Sequence, residues 1–143
     1  MKVLGLDLGS KTIGVAISDD LLFTAQVLTS IKRTVLEKDL AAICNLVEEY
    51  QIQEIVVGLP INMDGTKGGS ALKAEEFIEN LRQSLAIKII PWDERLSTVA
   101  AERILLEGDL SRQKRRKVID RLAAAFILQG YLDSHPKGKG WPT

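Results

Sequence analysis

The first eighteen residues alternate with period two. Leu4, Leu6 and Leu8 fall on one face of a strand, and Val3, Gly5, Asp7 and Gly9 fall on the other. Gly9-Ser10-Lys11-Thr12 has turn composition, and beyond it Ile13, Val15 and Ile17 alternate with Gly14, Ala16 and Ser18, which predicts a hairpin. Phe23 to Ile31 supplies a third strand and completes a meander. The period then becomes helical, with Leu36, Leu40, Ile43, Cys44 and Val47 forming one stripe between Leu36 and Tyr50. IQEIVVGLP, Ile52 to Pro60, reads as a fully buried strand and leads into a glycine-rich loop. Helical spacing returns at Leu72, Phe77, Ile78, Leu81 and Leu85, followed by a buried strand from Ala86 to Trp92, so this stretch is a βαβ unit with parallel strands. DERLSTVAAERILLEG predicts a loop and then a helix, with Ser97 or Thr98 as N-cap and Gly108 just past its end. A last helix spans Lys114 to Leu132. Three strands in a meander, followed by alternating helices and strands, predict an α/β fold: a mixed sheet flanked by helices.

Composition narrows this picture without redirecting it. A chain of 143 residues suits one domain with a sizeable core, here expected over residues 1–133, with a Gly- and Pro-rich disordered tail at 134–143. The net charge is zero, so any surface that binds nucleic acid must be local. The single cysteine, Cys44, excludes an internal disulfide and sits on a helical stripe, where it is expected to be a buried small apolar residue. The N-terminus enters a strand at once and no apolar run approaches membrane-spanning length, so a cytoplasmic protein with no membrane partner is expected.

The candidate chemistry lies in the acids. Asp7 occupies a strand face stripped of bulk; it is either solvated at a strand end or held by a partner or a metal, because an unpaired buried carboxylate is costly. On the last helix, Asp120 projects within about 20° of Ile127, inside the apolar arc of Ile119, Leu122, Ala123, Phe126 and Ile127. The plainer alternative there is a salt bridge to Arg115 or Arg116. Asp93 and Glu94 follow the last strand at its C-terminal end, where open α/β sheets build their sites, although either suits a solvated turn. Three carboxylates converging from separate elements would repel one another unless cations neutralised them. With no cysteine cluster and one histidine, His135, the oxygen donors suit Mg²⁺ or Mn²⁺. Two such ions activate water and stabilise a leaving 3′ oxygen, which is phosphodiester hydrolysis.

A polyanion also needs cations to hold it. Arg112 to Arg121 contains six Lys or Arg residues against one acid, Asp120. Alone this suits a solvated helix start; beside Asp120 it points to phosphate contacts. The candidate nucleic-acid contacts are Lys11, Thr12, Asn62, Arg95, Lys114, Arg115 and Arg116, with Gly65 and Lys67 in the same glycine-rich loop as Asn62.

The stretches LGLDLGSKTIGVAISD, IVVGLPINMDG, DERLSTVAAERIL and KRRKVIDRLAAAFILQGYLD occur in that order and at the spacing of a known family. From about Lys2 to Asp133 the chain resembles the YqgF/RuvX family of pre-16S rRNA nucleases, related to Holliday junction resolvases of the RuvC type. The resemblance implies a ribonuclease H-like fold, a five-stranded mixed sheet with three antiparallel strands first. It implies Asp7, Glu94 and Asp120 as catalytic residues and metal ligands, with Asp93 as a further acid. The implied activity is trimming of precursor rRNA, at the 5′ end of the 16S species, in ribosome biogenesis. Three other readings stay open. One is a Holliday junction resolvase-like DNA endonuclease, which would require a stable dimer. Another is a non-catalytic nucleic-acid-binding module. The third is a sugar kinase or actin-like ATPase, whose first phosphate loop LDLGSKTIGVAISD also resembles, although those enzymes close two such domains over a nucleotide. The sequence leaves the oligomeric state open between a monomer and a weak dimer.

Overall fold

The N-terminal alternation becomes an antiparallel meander of β1 (Val3–Leu8), β2 (Thr12–Ser18) and β3 (Ala25–Lys32). In the computed structural model the described residues are 1–96 and 112–135, except for the side chains of 112, 113 and 115–119. The chain continues through α1 (Leu36–Tyr50), β4 (Glu54–Leu59), α2 (Gly69–Ser84) and β5 (Lys88–Asp93). A 3₁₀ turn, Glu94–Leu96, follows, and α3 (Arg112–Ser134) is the last described helix. One five-stranded sheet has the order β3-β2-β1-β4-β5; β4 pairs parallel to both β1 and β5, and the other pairs are antiparallel. This is the ribonuclease H-like mixed sheet expected from the resemblance.

Alternation assigns the two faces. Leu4, Leu6, Ile13, Val15, Ile55, Val57 and Ile89 point to one face and form a core with Ile43 of α1 and Ala74, Phe77, Ile78 and Leu81 of α2. The opposite face carries Val3, Ala16 and Val56 under Ala124, Ile127, Leu128, Tyr131 and Leu132 of α3. There the helix comes very close: a Cβ added at Gly5 would lie 2.7 Å from Leu128 Cβ and 3.0 Å from the Ala124 carbonyl oxygen. Polar groups on this face pair between elements, apart from the buried Trp92 Nε1, which has no hydrogen-bond partner among the described residues. The Val3 N–H donates to Ser18 Oγ at 2.8 Å, and the Tyr131 hydroxyl donates to buried Glu54 at 3.1 Å. Gln129 ties α3 to the start of β3 by accepting from the Ala25 N–H and donating to the Phe23 carbonyl.

Several expectations need correcting. The third strand starts at Ala25, because the Asp19 carboxylate accepts from the N–H groups of Phe23 (2.8 Å) and Thr24 (3.0 Å) and holds these residues in a turn. Leu72 is 56% exposed; α2 starts at Gly69 and buries Ala71 and Ala74 together with the expected Phe77, Ile78 and Leu81. Leu36 is likewise exposed at the first turn of α1, and Cys44 is only partly buried. In α3 the buried stripe is rotated toward Ala124 and Leu128, which leaves Leu122 and Phe126 partly covered. The helix expected after Arg95, with Ser97, Thr98 and Gly108, lies outside the described residues, as does the tail from Pro136. His135 is described and stacks on Tyr131 with ring centroids 4.3 Å apart. Among the described residues no helix is long and apolar enough to cross a membrane.

Candidate active site

The end of β1 that carries Asp7 opens into a cleft of about 790 Å³. The register explains the opening: Asp7 pairs with Gly14 across β1 and β2, so the neighbour on its own face has no side chain to fill the space. A Cβ at Gly14 would sit 3.6 Å from Asp7 Cβ, 3.6 Å from Ala124 Cβ and 3.9 Å from the Asp120 carbonyl oxygen. Gly14 thus marks where β1, β2 and α3 converge. Across β1, Gly58 on β4 does the same for the third acid: a Cβ there would lie 3.2 Å from Glu94 Cγ and 2.6 Å from Ile127 Cδ1. Glu94 is 9% exposed. It is brought to this end of the sheet by the 3₁₀ turn that closes β5.

Asp7, Glu94 and Asp120 therefore line one cleft, together with Lys11, Thr12 and Arg121. Ser10, Thr29, Ser30 and Ser70 add hydroxyl groups, and Gly9, Gly14, Gly58 and Pro60 supply low relief. Three acids from strand, turn and helix share one wall-to-wall space with two cations. They do not form a closed ligand cage: among the described residues no three His, Cys, Asp or Glu side chains are gathered tightly enough to hold a metal ion. Each of the three acids has an interaction of its own. The donor set is nevertheless all oxygen, which is the chemistry of a hard divalent cation.

Asp120 departs from its sequence expectation in burial. It lies on the sheet-facing side of α3, in line with Ala124, but it is exposed. The strand surface beneath it is Gly14 and open cleft, so facing the sheet does not bury it.

Asp93 points elsewhere. It accepts from Arg95 at both oxygens, Nη2 to Oδ2 at 2.7 Å and Nε to Oδ1 at 3.1 Å, and from the Arg95 N–H at 2.9 Å. These hydrogen bonds hold its carboxyl below the usual carboxylate range against the opposing effect of desolvation. Arg95 also reaches the carbonyls of Asn62 (3.4 Å) and Met63 (3.5 Å), pinning the β4–α2 loop to the end of β5. Asn62 is used within that loop, donating from its side chain to Thr66 Oγ1 at 3.0 Å. Of the candidate nucleic-acid contacts, Lys11 and Thr12 thus line the cleft, whereas Asn62, Arg95 and Lys114 stand outside its lining. Arg115 and Arg116 lie on α3, with side chains outside the described set. Sequence reasoning did not single out Thr29 and Ser30. Two small hydroxyl residues in a strand carry no distinctive signal until the edge strand is placed beside the cleft.

Comparison with known proteins agrees with this architecture. The family model described as "RuvX: Holliday junction resolvase" matches residues 1–134. A protein of Myxococcus xanthus is 55% identical over 135 residues, covering 94% of this chain and 89% of its own length. One from Desulforamulus reducens is 53% identical over 137 residues, covering 96% of this chain and 100% of its own. Both carry the name "Putative pre-16S rRNA nuclease". Among solved structures, T. thermophilus RuvC in complex with a Holliday junction substrate superposes with a TM-score of 0.60 at 13% identity, covering 94% of this chain and 95% of that one, which shows a shared fold. By the family match over nearly its whole length and the identity with nuclease relatives, the chain belongs to the RuvX family and is a hydrolase acting on phosphodiester bonds.

Proposed function

We propose that this nuclease processes precursor 16S rRNA at its 5′ end, in the cytoplasm, using Mg²⁺ or Mn²⁺ held by Asp7, Glu94 and Asp120. The observation that carries the reading is the meeting of these three carboxylates with Lys11, Thr12 and Arg121 around one glycine-cleared cleft. The relatives' names supply the substrate class.

The roles follow from position. Asp7 sits on a rigid central strand, paired on both sides, so its carboxylate offers a fixed donor. Glu94 is largely withdrawn from water and Asp120 is exposed, so the donor set spans the cleft from its inner wall to its rim. Lys11 and Arg121 neutralise backbone phosphates, and Thr12, Thr29 and Ser30 offer hydroxyls to the sugar-phosphate chain. When bound, a divalent cation supplies activation of water and stabilisation of the leaving oxygen. Among the described residues that line the cleft there is no histidine to serve as general base, and the carboxylate set fits that division of labour.

The test incubates purified protein with a 16S precursor fragment, a four-way DNA junction and a DNA duplex, each with and without Mn²⁺. Cleavage confined to the RNA and dependent on the metal is the expected outcome. Symmetric cutting of the junction alone would replace this reading with the resolvase-like one.

A further inference from the structure

The Gly9–Thr12 turn carries Ser10, Lys11 and Thr12 into the cleft wall and lies directly beyond the Asp7 end of β1. Its own bond is the Gly9 N–H donating to the Thr12 carbonyl at 2.9 Å. Two further carbonyls of the turn are bonded by a single residue from outside it. Arg33 Nη1 donates to the Gly9 carbonyl at 2.8 Å, and the Arg33 backbone N–H donates to the Lys11 carbonyl at 2.9 Å.

The guanidinium is itself held from two other elements. Its Nε stands 3.7 Å from Asp39 Oδ2 in the first turn of α1, and its central carbon lies 5.7 Å from the Phe77 ring centroid on α2. Asp39 is 3% exposed and also accepts from the Thr34 N–H at 3.1 Å. A planar fork that bonds a carbonyl, faces a carboxylate and rests on an aromatic ring is specific to arginine; a lysine ammonium keeps the charge and loses the fork and the stacking. Arg33 thus bonds the backbone of two cleft-lining residues, Gly9 and Lys11, without lining the cleft itself.

We infer that Arg33 is a positioning residue for the cleft: it fixes the Gly9–Thr12 turn, and through it Lys11, Thr12 and the Asp7 end of β1. The activity consequence rests on the nuclease reading of the cleft; the structural consequence does not.

Arg33→Lys and Asp39→Asn in the full chain, compared with wild type, test it by amide hydrogen exchange and by cleavage kinetics on the 16S precursor fragment. In Arg33→Lys the Gly9 amide exchanges about tenfold faster or more, while those of Leu6 and Val15 keep their protection. Turnover falls about 10- to 100-fold, the scale of a displacement near 1 Å, and KM rises with it, because Lys11 and Thr12 lose their fixed place in the cleft wall. Asp39→Asn moves both readouts in the same direction by less, and it serves as the probe if Arg33→Lys fails to fold. Unchanged exchange in the turn overturns the inference. So does faster exchange in the turn with turnover unchanged, since the Asp7 end of β1 would then hold its place without Arg33. If the turn loosens while wild type leaves the RNA intact, the positioning stands and the RNA-processing reading falls.

Discussion

The two faces of the sheet are built from the same strands and have opposite purposes. Under α1 and α2 the strands present Leu4, Leu6, Ile13, Val15, Ile55, Val57 and Leu59, branched or bulky and sealed from water. Under α3 the intervening positions include buried Val3 and Val56, but the others, Gly5, Asp7, Gly14, Ala16, Ser18, Glu54 and Gly58, are small or polar. Burial of the first set supplies the driving force for folding, at about 25 cal/mol per Å² of apolar surface. The second set gives up part of that gain. In return α3 can approach closely at one end and leave a cleft at the other. Stability and chemistry are separated by one residue of register, because a strand turns successive side chains to opposite faces.

Neighbouring residues should therefore fail in opposite ways. Asp7→Asn keeps shape and removes a carboxylate, so cleavage should fall by a factor on the order of 10³ or more. Its melting temperature should stay level or rise, as measured by calorimetry. Leu6→Ala, one position away, should cost about 2–5 kcal/mol in urea unfolding, with turnover per folded molecule close to wild type. If Leu6→Ala abolished turnover at full folding, the two faces would not be separable.

A substitution at the seam should show both effects at reduced size. Gly58→Ala places a methyl 2.6 Å from Ile127 Cδ1 and 3.2 Å from Glu94 Cγ. The overpacking should cost about 1–3 kcal/mol. Displacement of Glu94 should lower turnover in the same variant, and a crystal structure or a kinetic and calorimetric pair would resolve the two effects.

The smallest effect belongs to the Asp93–Arg95 pair beside the cleft. Hydrogen bonds from Arg95 lower the Asp93 pKa in the folded chain, so the unfolded chain binds more protons as the pH falls into the carboxylate range. The pair's contribution is present above the ordinary aspartate value of about 3.9 and is lost as the pH drops through the lowered folded value. Asp93→Asn should remove that acid-side slope from a melting-temperature profile: its small loss of stability should be present near neutrality and vanish as the pH falls through the lowered value.

Much of this arrangement was legible in the sequence, because period two and period 3.6 are direct consequences of backbone geometry. The meander, the βαβ unit and the bare face around Asp7 follow from which positions are apolar and which are small. A helical projection places Asp120 on the sheet-facing side but cannot tell packed strand from open cleft beneath it; that depends on Gly14, over a hundred residues away. The charge of Arg95 is visible in the sequence, and how its donors are shared is not. Only the turn geometry shows Asp93 and the Asn62–Met63 carbonyls taking up its donors. The buried reading of Ile52 to Pro60 takes in Glu54, but its Tyr131 partner on the last helix is not visible in the sequence.

The placement of α3 also bears on when this protein can act. Translation delivers Asp7 more than a hundred residues before Asp120, with β2 to β5 in between. The hairpins can pair early because their contacts are local, whereas docking the final helix closes a loop spanning most of the chain. A nascent polypeptide thus has one acid of the cleft long before it has the last, and on the proposed reading hydrolysis waits until α3 has docked.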